Sequence, residues 1–381
     1  MKPTAPLGVY IHWPYCARIC PYCDFNVIKA RGGSDEPARL AQAIAADLEA
    51  QAALTGPRTL TSIFFGGGTP SLMEPAWAGM LAKTARRLWT PAPDLEVTLE
   101  ANPTDAEAAR FAGFAQAGVN RLSLGLQSLD DEALAFLGRN HDAATAIRAT
   151  QAATRAFPRL SIDMIYARPG QTPAAWRDEL ARAIDLGAEH VSPYQLTIEA
   201  GTAFGRAVGR GALVLPDEAI GAALYDTTQA VLEAAGFDAY EVSNHAQGQA
   251  ARSRHNLVYW QGLDYVGVGP GAHGRITVAG VRQATHAASK PSDYIARVSE
   301  TGTGFAIPEA LTPREAAQER LLSGLRITEG VALADIAALE LATKKITDLV
   351  ALGLLHDDPR RLRPTPAGRL VLDRLTSELA L

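Results

Sequence analysis

The sequence has little cysteine and no surplus of basic charge. Its 381 residues include only three cysteines, and its 36 lysines and arginines are outnumbered by 41 aspartates and glutamates. Proteins that bind nucleic acids usually carry a basic surface, so we expect no nucleic-acid partner. With 47% hydrophobic and 20% charged residues, the composition is that of an ordinary globular protein.

Long apolar runs and a secretory leader are also missing from the sequence. No uninterrupted apolar stretch reaches about 18 residues, which is the length that a membrane-spanning helix requires. No basic segment followed by an apolar one precedes the first strand-like run, which contains Tyr10. We therefore expect a cytoplasmic protein, and disulfide bonds are disfavoured in that reducing compartment.

Strand-like runs alternate with alanine-rich helical stretches over most of the chain. Six runs predict strands: LGVYIHW, TSIFFGG, LEVTLEA, RLSLGLQ, LSIDMIY and HVSPYQL. Between the first two, leucine and isoleucine recur every fourth residue, which predicts a helix that packs on a sheet. Residues 104–118 predict one helix that begins at the N-cap Thr104 and ends at Gly118. These repeats predict an α/β fold with a partial (β/α)6 TIM-like barrel.

The pattern changes twice after the repeats, and this predicts three parts. Residues 1–235 form the barrel core, residues 236–300 a glycine-rich β extension, and residues 301–381 a small helical domain. The last part has three predicted helices, a turn and a fourth helix, which resembles a winged-helix fold. Its acidic and basic residues are nearly equal in number, so we expect it to pack against the barrel and not on DNA.

All three cysteines lie in the segment IHWPYCARICPYCDFN, which includes the end of the first predicted strand. A disulfide would leave one thiol over, and a structural zinc ion would need His12 or Asp24 as a further ligand. Three buried structural cysteines are another alternative. A [4Fe–4S] cluster usually takes four cysteines, so Cys16, Cys20 and Cys23 would leave one iron open to a ligand. We favour the cluster because barrel enzymes carry reactive loops at the carboxyl ends of their strands.

Polar or glycine-rich residues end several of the predicted strands. The residues concerned are Gly66–Gly68, Glu100, Gln127 and Asp163. In a barrel these ends share one rim, so we expect them to converge above the cysteines. A tight turn is the alternative for the glycines, and a solvated strand end is the alternative for Glu100. A second run, GPGAHG at 269–274, precedes a strand-like segment and not a helix, so it does not predict dinucleotide binding.

The spacing Cys-x3-Cys-x2-Cys directly after the first barrel strand resembles that of the radical S-adenosylmethionine (SAM) superfamily. In that family the amino and carboxylate groups of SAM bind the open iron of a [4Fe–4S] cluster. The resemblance extends to FFGGGTPS, LGLQS, DMIYARPGQT and GVGPGAHG, and it narrows to the coproporphyrinogen-dehydrogenase-like branch. By this resemblance the SAM contacts fall on Tyr10, Gly67, Gly68, Thr69, Glu100, Gln127, Arg139 and Asp163.

Two departures separate the sequence from the oxygen-independent dehydrogenase of that branch. Phe25 stands where the dehydrogenase has a further cysteine, and the first predicted strand is not preceded by the dehydrogenase's N-terminal extension. Both features, together with HNLVYW at His255–Trp260, resemble the HemW-type heme chaperones.

The HemW-type resemblance implies heme as a third cofactor. A neutral imidazole at His255 suits axial ligation of heme iron, and Tyr259 and Trp260 suit the porphyrin face. A structural turn is the alternative for this motif. The implied function is transfer of heme to an apo-hemoprotein, and radical chemistry with SAM stays open, as does peripheral membrane association with the acceptor. The enzymatic alternative is oxidative decarboxylation of coproporphyrinogen III to protoporphyrinogen IX, whereas the net charge disfavours an enzyme acting on RNA.

Overall fold

A computed structural model of the protein describes residues 4–30 and 32–380. Within these residues the strands are β1 (Pro6–Trp13), β2 (Tyr15–Cys16), β3 (Ile28–Lys29), β4 (Thr59–Gly67), β5 (Thr90–Ala101), β6 (Arg121–Gln127), β7 (Arg159–Tyr166), β8 (His190–Gln195), β9 (Asp238–Ala239), β10 (His245–Ala246), β11 (Asp264–Val268), β12 (His273–Val278), β13 (Val281–His286), β14 (Glu309–Ala310), β15 (Val331–Ala332) and β16 (Arg361–Leu362).

The α-helices fall between and after these strands. They are α1 (Glu36–Thr55), α2 (Pro75–Leu88), α3 (Asp105–Ala108), α4 (Phe111–Gln116), α5 (Asp131–Phe136), α6 (Ala143–Ala156), α7 (Pro173–Ile184), α8 (Ala203–Gly209), α9 (Glu218–Ala234), α10 (Arg254–Trp260), α11 (Pro291–Thr301), α12 (Pro313–Gly324), α13 (Thr343–Ala351), α14 (Pro366–Leu370) and α15 (Leu372–Ala380). Short 3-10 helices cover Pro70–Leu72, Gln249–Ala251 and Leu333–Leu339.

A curved sheet with a parallel centre organises the molecule. Its strand order is β14-β13-β12-β11-β1-β4-β5-β6-β7-β8-β10-β9. The strands from β11 to β8 in this order are parallel, and the outer strands are antiparallel. All six predicted strands are confirmed, and so is the partial (β/α) barrel, with the extension pairing through β11 along β1.

The main core lies between the parallel strands and the helices that cover them. Val9 and Ile11 of β1 pack in one cluster with Leu40, Ile44 and Leu48 of α1, and all five side chains have no exposed surface. This confirms the helix predicted from the four-residue spacing. The alternate residues of β1 face the barrel interior, because side chains alternate along a strand. The candidate site therefore draws on the inward-facing set.

Two helix predictions are wrong in detail. The predicted helix at residues 104–118 is broken into α3 and α4, although Thr104 caps α3 by accepting from the Glu107 amide. Glu107 turns inward to accept from the Asn102 amide, and Arg110 donates to the Met73 carbonyl 37 residues away, so side-chain bonds to other segments accompany the break. The segment LADIAALE is the second of the three helices predicted in the last part of the chain. It forms a 3-10 helix with non-helical dihedral angles at Ile336.

The last part of the chain has a hydrophobic cluster of its own. Its buried members come from α12, α15, the strands β15 and β16 and the 3-10 helix, and they include Leu321, Val331, Ile336, Leu362 and Leu375. Helices with a small two-stranded sheet match the winged-helix-like expectation. The exact domain boundaries stay a prediction. None of the described helices combines the length and the apolar character that crossing a bilayer requires.

Candidate functional site

The cysteine loop leaves the end of β1 and returns along β3. Cys16 is buried at the end of β2, whereas Cys20 and Cys23 are half-buried in the loop. The Ala30 amide donates to the Cys16 carbonyl at 2.8 Å, which closes the loop. All three thiols line one open cavity of about 590 Å³, which we call the cysteine cavity.

The environment of the thiols fits a polynuclear iron centre. Burial raises the pKa of Cys16 to about 11 and also raises the pKa of Cys23, so these thiols need a bound cation to ionise. Among the described residues, no three His, Cys, Asp or Glu side chains are placed to hold a single metal ion. In a [4Fe–4S] cluster each thiolate binds a different iron, so the donor set fits a cluster better than a zinc ion.

The glycine run packs its backbone directly against the cysteine loop. The Gly68 amide donates to the Trp13 carbonyl at 2.8 Å, and a Cβ at Gly68 would lie 2.8 Å from the carbonyl oxygens of Pro14 and Tyr15. Gly67 has a φ of 109°, which a residue with a side chain rarely adopts. Both glycines line the cysteine cavity. The glycine run therefore makes a tight turn and also exposes its backbone to the cysteine cavity.

Two carboxylic acids enter the cysteine cavity from the ends of β5 and β7. Glu100 accepts from the Gly67 amide at 3.1 Å, and Asp163 accepts from the Ser123 hydroxyl at 3.1 Å. Burial, and then repulsion from Asp163, raise the pKa of Glu100 to about 8. Burial raises the pKa of Asp163 to about 6. A cationic ligand in this cavity would favour the ionised form of both groups.

Gln127 and Arg139 complete the same rim. Gln127 has a φ of 64° at the end of β6, and its Oε1 has no hydrogen-bond partner among the described residues. Arg139 donates to the Cys20 sulfur at 3.4 Å and to the Gly125 carbonyl at 3.0 Å. Its guanidinium therefore holds a cysteine of the loop and borders the cavity at the same time.

Sequence reasoning missed Asn102, which ties this rim together. Its side chain donates to the hydroxyl of the buried Thr69 at 3.1 Å and accepts from Arg139. It lies in the LEANP strand end, directly beyond Glu100, so the polar strand end was the signal for it. Tyr10, in contrast, is not among the residues of the cysteine cavity. Its hydroxyl bonds the His12 ring at 2.9 Å beside a neighbouring cavity.

The HNLVYW motif forms helix α10, in which His255 is closed off while Tyr259 and Trp260 line one cavity of about 950 Å³. His255 is 1% exposed, with Nδ1 2.8 Å from the Ser62 hydroxyl and Nε2 2.7 Å from the Tyr259 hydroxyl. Burial lowers the pKa of His255 to about 3, so its ring is neutral. Tyr259 reaches the neighbouring cavity, whereas Trp260 stacks on Arg326 at 4.6 Å. In this conformation neither ring nitrogen of His255 is open to iron.

Known families match both ends of the chain. Residues 10–183 match the Radical SAM superfamily, and residues 311–371 match the HemN C-terminal domain. Over its full length the fold is similar to that of coproporphyrinogen III oxidase (HemN) from Escherichia coli, with a TM-score of 0.81 and 21% identity, covering 91% of that chain. At this identity the likeness shows the fold alone.

Curated relatives are similar along almost the whole sequence. The heme chaperone HemW of Mycobacterium tuberculosis strain H37Rv is 38% identical, over 99% of this chain and 95% of that protein. HemW of Bacillus subtilis is 34% identical over 96% of each, and the mitochondrial radical S-adenosyl methionine domain-containing protein 1 of Bos taurus is 41% identical over 98% of this chain and 87% of its own length. The chain therefore belongs to the HemW-type family of radical SAM proteins.

Proposed function

We propose that this protein is a heme chaperone, which binds heme and passes it to an apo-hemoprotein. The observation that carries this proposal is the similarity to proteins named heme chaperone HemW over nearly the full length of the chain. The net negative charge of the chain favours a protein or small-molecule partner over a nucleic acid. A cytoplasmic location and an apo-hemoprotein acceptor are parts of the same proposal.

The cysteine cavity is proposed to hold a [4Fe–4S] cluster and SAM. The cluster, when bound, supplies an open iron at which SAM is held. Cys16, Cys20 and Cys23 bind the cluster, and Arg139 restrains Cys20 through its guanidinium. The residues proposed to contact SAM are Gly67, Gly68, Thr69, Glu100, Gln127 and Asp163, which line the same cavity. Two acidic groups suit the positive charge of a sulfonium ion.

The motif on α10 is proposed to contribute to heme binding, with one structural condition. Tyr259 presents its ring to a cavity, whereas axial ligation by His255 requires that its bonds to Ser62 and Tyr259 break. Trp260 stacks on Arg326 and lines a cavity together with Tyr259, so the two aromatic rings can face one ligand. Ligation by His255 therefore predicts an opening of α10 when heme binds.

A residue of the cysteine loop distinguishes the chaperone from the enzymatic alternative. Phe25, at the position where the dehydrogenase has a further cysteine, is 62% exposed and lines the cysteine cavity. A phenyl ring cannot bind metal or transfer a proton, so the residue favours a chaperone. Anaerobically reconstituted protein should bind heme with a defined Soret spectrum. It should release no carbon dioxide from coproporphyrinogen III when SAM and a reductant are supplied, and such release would instead establish the dehydrogenase.

A further inference from the structure

A pair of stacked histidines lies close to the cysteine loop and has no part in the function proposed above. His273 on β12 and His286 on β13 are opposite each other in the antiparallel ladder. Their rings are nearly parallel, at 11°, and the ring centroids are 4.2 Å apart. Both residues are exposed to solvent.

The ring nitrogens of this pair are available to a ligand. Within residues 4–30 and 32–380, hydrogen bonds engage the rings of five other histidines: His12, His141, His190, His245 and His255. None of these bonds involves His273 or His286. A neutral imidazole with a free nitrogen is a good ligand for iron.

The pair opens into an aromatic cavity of about 460 Å³, which we call the histidine cavity. Phe25, Tyr259 and Tyr265 line this cavity together with the two histidines. Tyr259 and Tyr265 meet edge to face, with their ring centroids 4.6 Å apart. The cavity volume is within the range of small-molecule sites, and the aromatic rings in its wall favour a flat aromatic ligand, although Asp24 and Glu100 also line it. A porphyrin fits this chemistry because it is planar, aromatic and carries iron.

The histidine cavity is joined to the cysteine loop by direct contacts. Asn26 donates to the Pro270 carbonyl at 2.9 Å and to the Ser289 carbonyl at 2.8 Å, which ties the loop to both ends of the hairpin segment. Gly67 and Glu100 line both cavities. A ligand in the histidine cavity would therefore lie beside the proposed SAM site.

We propose that His273 and His286 form the site at which this protein receives heme. One imidazole donates a nitrogen lone pair to the iron, and the other stacks against it and holds its orientation. The inference rests on the proposed heme chaperone function and assigns the ligand to residues outside the HNLVYW helix. His255 then acts through Tyr259, whose hydroxyl it binds while the Tyr259 ring lines the histidine cavity. His255 is a positioning residue in this arrangement.

Heme titration of the reconstituted full-length protein tests this site. The double variant His273→Ala/His286→Ala should lose the iron–histidine stretch of the reduced heme in resonance Raman spectra and bind hemin at least tenfold more weakly. Added imidazole should restore an iron–imidazole stretch. The matched control is His356→Ala, which removes an exposed histidine from the last domain and should leave the spectrum unchanged.

The possible outcomes distinguish a wrong ligand assignment from a wrong proposed function. If the double variant keeps the wild-type signal and affinity, the inference is overturned. It is also overturned if His255→Ala alone removes the iron–histidine stretch, because the ligand then lies on α10. If the wild type does not bind hemin, the proposed function itself fails, and the ligand assignment fails with it.

Discussion

At the scale of single residues, the cysteine cavity concentrates groups whose charge depends on a ligand. Burial raises the pKa values of Glu100, Asp163 and the Cys16 thiol, and repulsion from Asp163 raises the pKa of Glu100 further. Each group favours its neutral form until a cation enters the cavity. An iron–sulfur cluster and a sulfonium ligand would supply that positive charge together. The residue chemistry therefore couples ligand binding to proton release.

The first prediction concerns the pH dependence of SAM binding. With its pKa at about 8, Glu100 is mostly protonated at pH 7 before SAM binds. A bound cation stabilises the carboxylate, so binding releases a proton, and affinity should rise by up to about tenfold per pH unit between pH 6.5 and 8. Calorimetry of the cluster-loaded protein at several pH values measures this slope.

Glu100→Gln is the matched control for that slope. The amide keeps an oxygen that can accept from Gly67 but cannot ionise, so the slope should flatten. The loss of a charge-assisted bond should weaken SAM binding about 10- to 150-fold. An unchanged slope in the variant would show that Glu100 does not face the ligand.

The second prediction concerns Cys20, which Arg139 restrains. Cys20→Ser removes one of the three proposed protein ligands, so the reconstituted variant should lose most of its iron and sulfide. Iron and acid-labile sulfide assays on anaerobic samples measure the result. Stoichiometric zinc without sulfide in the wild type would contradict the cluster assignment.

At the scale of elements, the sequence predicts the strands well, but it predicts the helix breaks and the contacts around the strands less well. Parallel strands covered by helices are short apolar runs, which is why all six were found from pattern alone. The polar strand ends placed Glu100 and Asp163 correctly on one rim, because parallel strands end on one side. The burial of His255 was not predictable, since α10 is only seven residues long and its bond to Ser62 spans distant parts of the chain. The break in the predicted helix after Thr104 was not predictable either, since Arg110 at the break bonds the distant Met73 carbonyl.

The third prediction tests the contact between the glycine run and the cysteine loop. Gly68→Ala places a Cβ 2.8 Å from backbone atoms of Pro14 and Tyr15, so the loop must shift. Overpacking of this kind should cost about 1–3 kcal/mol of stability and reduce cluster occupancy. Gly209→Ala is the matched control, because nothing lies within 4 Å of the added Cβ.

Urea unfolding and iron analysis of both glycine variants test the contact between the glycine run and the cysteine loop. We expect the two measurements to change together for Gly68→Ala and to stay at wild-type values for Gly209→Ala. Wild-type stability and iron content in Gly68→Ala would show that the run is not packed as described.

At the scale of the whole molecule, ion pairs and an aromatic contact join the last domain to the glycine-rich extension. Arg326 donates to Glu241 at 3.2 Å and stacks over Trp260, and Arg275 of the hairpin binds Glu319 of α12 at 2.7 Å. The side chain of Glu241 has no exposed surface. The domain thus contacts the same helix that carries the HNLVYW motif. These contacts lie on the extension, and packing of the last domain against the barrel core stays a prediction.

The fourth prediction tests this attachment. Arg326→Ala leaves the Glu241 carboxylate buried without its cation, which should cost about 3 kcal/mol of unfolding free energy. Lys344→Ala is the control, because its pair with Asp348 is exposed on a helix surface and should contribute little. Equal denaturation midpoints for the two variants would contradict a tight domain contact.

The central claim is that the protein delivers heme. The most direct measurement follows heme transfer from the reconstituted, heme-loaded protein to apomyoglobin by the growth of the myoglobin Soret band. We predict transfer faster than spontaneous release of heme from serum albumin, and slower transfer from the His273→Ala/His286→Ala variant. Transfer no faster than release from albumin would contradict the account.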